Sequence, residues 1–113
     1  MDALLVKDLR LMRKTTFENA APAILETHRI CKKVDLPGIP PDGLALQDAH
    51  MTMLIDGAVY DLVNKSLLVR IKSEAFYEAG MVERSLLAHQ ALGWAMFQPP
   101  ENKERSDDRS KED

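Results

Sequence analysis

The chain has 113 residues, a formal net charge of −3 and a single cysteine, and 45% of its residues are hydrophobic. This length corresponds to one small domain, and the composition argues against a disordered or fibrous chain. One cysteine excludes an internal disulfide and is typical of a reducing compartment, so we expect a cytoplasmic protein. No apolar stretch approaches the roughly 18 residues of a membrane-spanning helix, and the net negative charge gives no general attraction to nucleic acid.

Two proline-rich segments divide the chain. Residues 99–113 begin with Pro99-Pro100 and contain no apolar residue from Glu101 onwards. Such a segment cannot bury enough surface to offset its ordering entropy, so we predict a disordered tail. The stretch from Asp35 to Gly43 holds three prolines and two glycines, which predicts a loop. Residues 1–98 are therefore expected to form a single domain.

The first third of the chain has the spacing of two amphipathic helices. Residues 2–14 place Leu5, Leu9 and Met12 at i, i+4 and i+7, which favours a first helix. Residues 15–34 favour a second helix that opens with a capping box formed by Thr15 and Glu18. Its apolar side chains also recur at spacings of four and three, on one helical face: Phe17, Ala21, Ile24, His28 and Cys31. The prediction for the fold is a mainly α, small helical bundle.

The middle of the chain is open to two interpretations. Residues 44–55 have a helix-forming composition. Asp56-Gly57, however, is a hairpin-turn signal, and Asn64-Lys65 could form a second turn before the alternating Leu67, Val69 and Ile71. The alternative to the bundle is thus an α+β fold with a short β-hairpin around Asp56-Gly57.

Residues 66–97 have the pattern of a helical hairpin. Gly80 can end one helix, and the small residues Ala75 and Ser85 would let two antiparallel helices approach closely. This spacing resembles a single tetratricopeptide-type helical hairpin. It is also similar to the short helical unit of the PerC and ANR families of enterobacterial regulators. The resemblance covers about a quarter of the chain and implies a helical fold with a binding or regulatory role.

The predicted second helix of this hairpin has no charged residue between Ser85 and Pro100. A helix that is apolar on most sides must be covered on most sides, and a chain of this size has few elements to cover it. Aromatic residues and methionine are enriched at interfaces, so we expect a protein partner or a homodimer at this helix. The predicted contact residues are Leu87, Ala91, Trp94, Met96 and Phe97.

Candidate catalytic and metal-binding groups are incomplete. His28 and Cys31 have a ligand-like spacing and could bind zinc together with His50 or His89, but no second pair completes the set. Ser85 and His89 lack the orienting acid and the oxyanion site that a nucleophilic pair needs. We therefore predict no catalytic residues, no metal site and no cofactor, and hence a protein that is not an enzyme.

A basic stripe follows one face of the predicted first helix, and it consists of Lys7, Arg10 and Lys14 with Arg13 close by. Two functional hypotheses result. The first is a small non-catalytic protein-binding module, such as an adaptor, a chaperone-like factor or an inhibitor. It would dock on a larger, bacterial- or phage-type protein or self-associate. The alternative is a dimeric DNA-binding regulator whose basic helix contacts phosphates.

Overall fold

The computed structural model describes residues 1–14 and 22–97, which form one mixed β-sheet and one helix. In chain order the elements are β1 (Asp2–Arg13), β2 (Ala23–Asp35), β3 (Ala45–Asp48), β4 (Met51–Asp61), β5 (Ser66–Ile71), β6 (Glu74–Phe76), α1 (Ala79–Ala91) and β7 (Ala95–Met96). The sheet order is β3-β4-β5-β1-β2-β7, and β6 pairs with the far end of β1.

The predicted mainly α bundle is wrong, because the first predicted helix and the described part of the second are long strands, β1 and β2. A separation of four residues places two side chains on one face of a helix and also on one face of a strand. Leu5 and Leu9 therefore satisfied both patterns. The burial alternates with period two from Asp2 to Arg10 of β1, where Ala3, Leu5, Lys7 and Leu9 are buried.

Strand β1 lies near the centre of the sheet. It pairs antiparallel with β2 from Asp2 opposite Asp35 to Arg13 opposite Ala23, and parallel with β5 from Ala3 opposite Leu67 to Val6 opposite Arg70. Its C-terminal part then pairs with β6. Because β1 is paired on both sides, its side chains lie in the middle of both faces of the sheet.

The core lies between one face of the sheet and α1. Leu5, Leu9, Ile30 and Val69 are buried there, and Val82 and His89 are the buried residues of the helix. The β3–β4 hairpin adds Met53 and Ile55 to the same cluster. Trp94, which follows the helix, completes this core.

The α+β alternative, with its hairpin around Asp56-Gly57, is wrong as well, because one strand, β4, runs through this dipeptide. The chain reverses at Ala49 and His50, between β3 and β4, and again at residues 62–65, between β4 and β5. Asp56-Gly57 lies inside β4, at a register shift between Ile55 and Ala58. Gly57 has φ +139°, which suits glycine, so this dipeptide forms a bulge.

The predicted helical hairpin over residues 66–97 is also wrong. Its first half forms β5 and β6, and the only helix of the described residues is α1. Gly80 lies in the first turn of α1, next to the N-cap residue Glu78, and does not end a helix. The helix instead ends at Ala91, with Leu92 as its C-cap residue, and the following Gly93, with φ of +96°, turns the chain toward β7.

Several predictions lie outside the described residues. These are the capping box of Thr15 and Glu18, the positions of Phe17 and Ala21, and the tail at residues 99–113. The predicted loop at Asp35–Gly43 corresponds to the connection between β2 and β3. Within residues 1–14 and 22–97, no helix is long and apolar enough to cross a membrane.

Candidate functional site

The face of the sheet opposite to α1, which we call the open face, is not covered by any element of the described residues. Its members alternate in sequence with the core residues of the same strands. They are Leu4, Val6, Asp8 and Arg10 on β1, Arg29, Cys31 and Lys33 on β2, Val59 on β4, Leu68 and Arg70 on β5, and Phe97 after β7.

The centre of the open face is apolar because two neighbouring strands are apolar on both sides. Residues 3–6 of β1 and 67–69 of β5 have no polar side chain. Leu4 lies opposite Leu68, and Leu68 lies opposite Val59 on the next strand. Strands that are apolar on both faces usually have both faces covered. In this strip Leu4 and Leu68 are half-buried and Val59 is exposed, and no element of the described residues lies over them.

One end of the open face holds a cluster of arginines and aspartates. Arg10, Arg29 and Arg70 surround Asp8 there. Arg29 donates two hydrogen bonds to the Asp8 carboxylate, from Nε at 2.8 Å and from Nη2 at 3.1 Å. These hydrogen bonds lower the pKa of Asp8, and the charges of Arg10 and Arg70 lower it further. Partial burial acts in the opposite direction.

Arg10 of this cluster is incompletely paired. Arg10 reaches Asp8 only at 3.6 Å, and its Nε atom is buried without a hydrogen-bond acceptor among the described residues. The three arginines share this end with Asp8 and Asp56, around a cavity of about 270 Å³ that Phe97 and Leu68 also line. Asp42 lies in the adjoining cavity beside Arg70, so the three arginines face three aspartates.

The other end of the open face is acidic. Asp2 and Asp35 are opposite each other in the β1–β2 register, and Asp61 lies at the end of β4. These three carboxylates are accompanied by Lys33 and by the terminal ammonium of Met1, which binds Asp35 at 2.7 Å. Three carboxylates therefore share this end with two cationic groups.

A buried polar cluster lies on the other side of the sheet, between β1 and α1. Lys7 is only 3% exposed, and its ammonium binds the Glu74 carboxylate and His89. His89 Nδ1 donates to the Ser85 carbonyl oxygen at 2.7 Å, which leaves Nε2 to accept from Lys7 at 3.2 Å. The cluster thus holds neutral histidine and fixes the helix to the sheet.

Trp94 extends these polar contacts toward β3. Its indole Nε1 donates to Asp48 Oδ2 at 3.0 Å, and Lys32 donates to the same oxygen at 2.8 Å. The bond from Lys32, and to a smaller degree the bond from Trp94, lowers the pKa of Asp48. The His89 and Trp94 rings meet edge to face, with centroids 5.5 Å apart.

The state of His89 gives the fold a pH dependence. Burial lowers the pKa of His89, and the nearby Lys7 charge acts in the same direction. The unfolded chain, with a histidine pKa of about 6.5, therefore takes up the proton first as the pH falls. We expect the free energy of unfolding to decrease below about pH 6.5, by at most about 1.4 kcal/mol per pH unit, until the pKa of folded His89 is reached.

Urea unfolding at pH 7, 6 and 5 checks this expectation. His89→Gln should lose most of the decrease over this range, although it is less stable throughout. His50→Gln is the matched control, because His50 is exposed, and it should keep the decrease. Loss of the pH dependence in His50→Gln and not in His89→Gln would show that His89 does not cause it.

The residues predicted to bind a partner do not form one surface. Leu87 and Ala91 are exposed on the outer side of α1, and Met96 lies on the edge strand β7. Trp94 is only 3% exposed. Residues of the same chain bury this side chain, so Trp94 does not need a second chain to remove it from water. Phe97 is the one of the five that lies at the open face, with the Arg29 guanidinium over its ring.

The predicted basic stripe is not a surface feature either. In a strand, Lys7 and Arg10 point to opposite faces, so Lys7 enters the core and Arg10 joins the open face. Arg13 and Lys14 are exposed at the end of β1, and Lys14 lies over the Tyr77 ring. The N-terminal helix that the DNA-binding hypothesis requires does not form.

The possible zinc ligands His28 and Cys31 lie on opposite faces of the sheet, and the Ser85–His89 pair lies on the helix. His28 faces the core side opposite Leu9, and Cys31 lies on the open face opposite Val6, where burial raises the pKa of its thiol. Ser85 Oγ is 3.5 Å from His89 Nδ1, which already donates to a backbone carbonyl. Among the described residues, no three His, Cys, Asp or Glu side chains are grouped as a metal ion would require.

Comparison with known proteins adds no relative: no protein-family model, no curated protein and no solved structure matches this chain.

Proposed function

We propose that the chain is a small, non-catalytic protein-binding module and that the open face is its binding surface. The observation that carries the proposal is a sheet with an apolar centre on both sides and a helix over only one of them, within the described residues. Burying the strip formed by Leu4, Val59 and Leu68 against a partner would remove apolar area from water, at about 25 cal/mol per Å².

The β4–β5 turn supports the same proposal. Leu62 and Val63 are 81% and 88% exposed at its tip, next to Val59 on the open face. Large apolar residues in solvent are unremarkable singly, but a contiguous group at the rim of an apolar face is typical of an interaction site.

The polar clusters support binding without catalysis. Lys7, Glu74 and His89 bind one another in the core, and Asp48 already accepts from Trp94 and Lys32. These side chains use their hydrogen-bonding capacity to hold the helix and the β3–β4 hairpin in place. The open face presents arginines and aspartates whose arrangement suits recognition of a charged partner.

Site-specific photo-crosslinking tests the proposal. The photo-reactive residue p-benzoylphenylalanine replaces Leu62 at the rim of the open face or, as a matched control, Leu87 on the outer side of α1. The probe protein is irradiated in an extract of the source cells. We expect a product of defined mass from the Leu62 position only, with a yield that saturates as more probe protein is added.

Competition shows whether the product depends on the open face. Excess unlabelled wild-type chain should suppress the product, and the Leu87→Asp variant should suppress it equally well. The Val59→Asp variant should not, because its charge lies on the open face. Equal products from both probe positions, or equal suppression by both variants, would contradict the proposed binding surface.

A further inference from the structure

The outer edge of β4 is only partly covered by another strand. On this side β3 pairs with Met51–Leu54, and the last backbone contact is the bond from the Gly43 N–H to the Ile55 carbonyl oxygen at 2.7 Å. Pro40 and Pro41 precede this contact, and proline has no N–H with which to extend the pairing. Over residues 58–61, β4 therefore pairs with β5 alone within the described part of the chain.

The register shows which backbone groups of this edge have no strand partner. The Lys72 N–H donates to a carbonyl oxygen of β4 at 2.8 Å, and alternate residues of a strand direct their backbone groups to the same neighbour. The extra residue of the bulge lies in β4, so this alternation continues unbroken along β5 to Leu68, which bonds to Val59 opposite it. The N–H and C=O groups of Ala58 and Tyr60, on either side of Val59, therefore point away from the sheet.

The side chains along this edge are apolar and exposed. Val59 lies on the open face and Tyr60 on the opposite face, and Leu62 and Val63 follow at the turn. Exposed sheet edges are usually protected by lysine or proline, and residues 58–63 contain neither. The edge is therefore suited to strand addition, in which main-chain hydrogen bonds give affinity and alternate side chains give specificity.

The charges on this edge favour a basic segment. Asp56 and Asp61 belong to β4 itself, and Asp42 shares a cavity with Ala58. None of these three carboxylates forms a salt bridge within residues 1–14 and 22–97. The basic residues of the β4–β5 hairpin belong to β5 and its flanks, one strand further from an added segment: Lys65, Arg70 and Lys72.

We infer that the protein partner adds a strand to the outer edge of β4, through an extended segment with apolar residues at alternate positions and basic residues at its ends. Hydrogen bonds to the backbone of Ala58 and Tyr60 would hold this segment. Its apolar side chains would lie beside Val59 and continue the apolar strip of the open face. The inference rests on the proposed function, since it names how the partner of that face binds.

Hydrogen exchange of the wild-type chain with a synthetic peptide tests this inference. The probe is a blocked peptide in which three valines alternate with two threonines, with a lysine at each end. When it is in excess, the amides of Ala58 and Tyr60 should exchange at least about tenfold more slowly, as measured by NMR. The amides of Val59 and Asp61, which bond to β5, should change little. The same peptide with glutamate at each end should bind about tenfold more weakly.

Backbone methylation of the probe distinguishes strand addition from binding by side chains alone. The valine nitrogens and the threonine nitrogens lie on opposite edges of the extended peptide, and only one edge can face β4. One methylated peptide should therefore lose at least about tenfold in affinity, and the other should bind within about threefold of the unmethylated probe. The protein is the wild type throughout, so a loss of binding does not reflect misfolding of a variant.

Four outcomes would overturn the inference. They are unchanged exchange at Ala58 and Tyr60 with the lysine probe in excess, equal affinities of the two methylated probes, a glutamate probe that binds as well as the lysine probe, and protection of the same amides in a dimer of the free chain, which would make a second copy the occupant. If the probe fails but Val59→Asp still does not suppress the crosslinked product from the Leu62 position, the open face stands and only strand addition is rejected. If Val59→Asp suppresses that product like the wild type, the proposed function fails as well.

Discussion

Replacing Trp94 with alanine should cost about 3–5 kcal/mol of folding free energy. Trp94 is buried in the core, packs edge to face against His89 and donates its indole hydrogen to Asp48. The truncation leaves a large cavity and removes a hydrogen bond. In a domain of this size such a loss corresponds to a decrease of roughly 15 °C or more in melting temperature.

Thermal unfolding followed by circular dichroism measures this loss, with two controls. Trp94→Phe keeps an aromatic ring in the core and loses only the bond to Asp48, which should cost about 1 kcal/mol. Leu87→Ala removes a side chain that is 65% exposed and should change stability by less than about 0.5 kcal/mol. A Trp94→Ala variant with wild-type stability and an altered assembly state would instead make Trp94 an interface residue.

The second large effect is expected at Glu74. Its carboxylate is the only acidic partner of the buried Lys7 ammonium among the described residues. Glu74→Ala would leave this charge with His89 alone, and removing one member of a buried ion pair costs about 3–5 kcal/mol. Because the Glu74 side chain is itself 45% exposed, we expect a loss at the lower end of this range, about 3 kcal/mol.

Lys7→Met provides the informative comparison, because it removes the buried charge and fills a similar volume. Its cost should be smaller than that of Glu74→Ala, at about 1–2 kcal/mol for the unpaired His89 nitrogen. Glu83→Ala, on the exposed side of α1, serves as the surface control. Urea unfolding gives the three free energies, and a larger loss in Lys7→Met than in Glu74→Ala would contradict this description of the cluster.

The N-terminal strands show why the sequence predicted the wrong fold class. Leu5 and Leu9 are four residues apart, which is an even number and also about one helical turn, so this pair does not distinguish a strand from a helix. The signal that does distinguish them is the alternation of Ala3, Leu5 and Leu9 interrupted by Lys7. A lysine is normally placed on the solvent side, and its partner Glu74 lies 67 residues away in the sequence.

Short sequence patterns predicted the loops and turns better than the strands, because few long-range contacts decide where a chain turns. The proline-rich connection after Asp35 and the turn near Asn64-Lys65 are both present. Asp56-Gly57 has the chemistry of a turn, but the pairing of β4 with β5 continues across it and converts it to a bulge. That outcome depends on neighbouring strands, and a local pattern does not contain it.

The open face could have been predicted only in part. Uninterrupted apolar residues at 3–6 and 67–69 are a signal for strands with two apolar faces. The arginines that meet around Asp8 come from β1, β2 and β5, and their proximity follows from a parallel pairing of β1 with β5 that no short-range pattern indicates. Phe97 was selected from its residue type, and its place beside Arg29 follows from the pairing of β7 with β2.

The most direct test of the open face as the binding surface compares two matched variants in the crosslinking competition. Val59 and Leu87 are similarly exposed, at 62% and 65%, on the open face and on the outer side of α1. Half-suppression of the product from the Leu62 position should need the same concentration of the Leu87→Asp chain as of the wild type, and at least about tenfold more of the Val59→Asp chain. Suppression by Val59→Asp at the wild-type concentration, with weaker suppression by Leu87→Asp, would contradict the account.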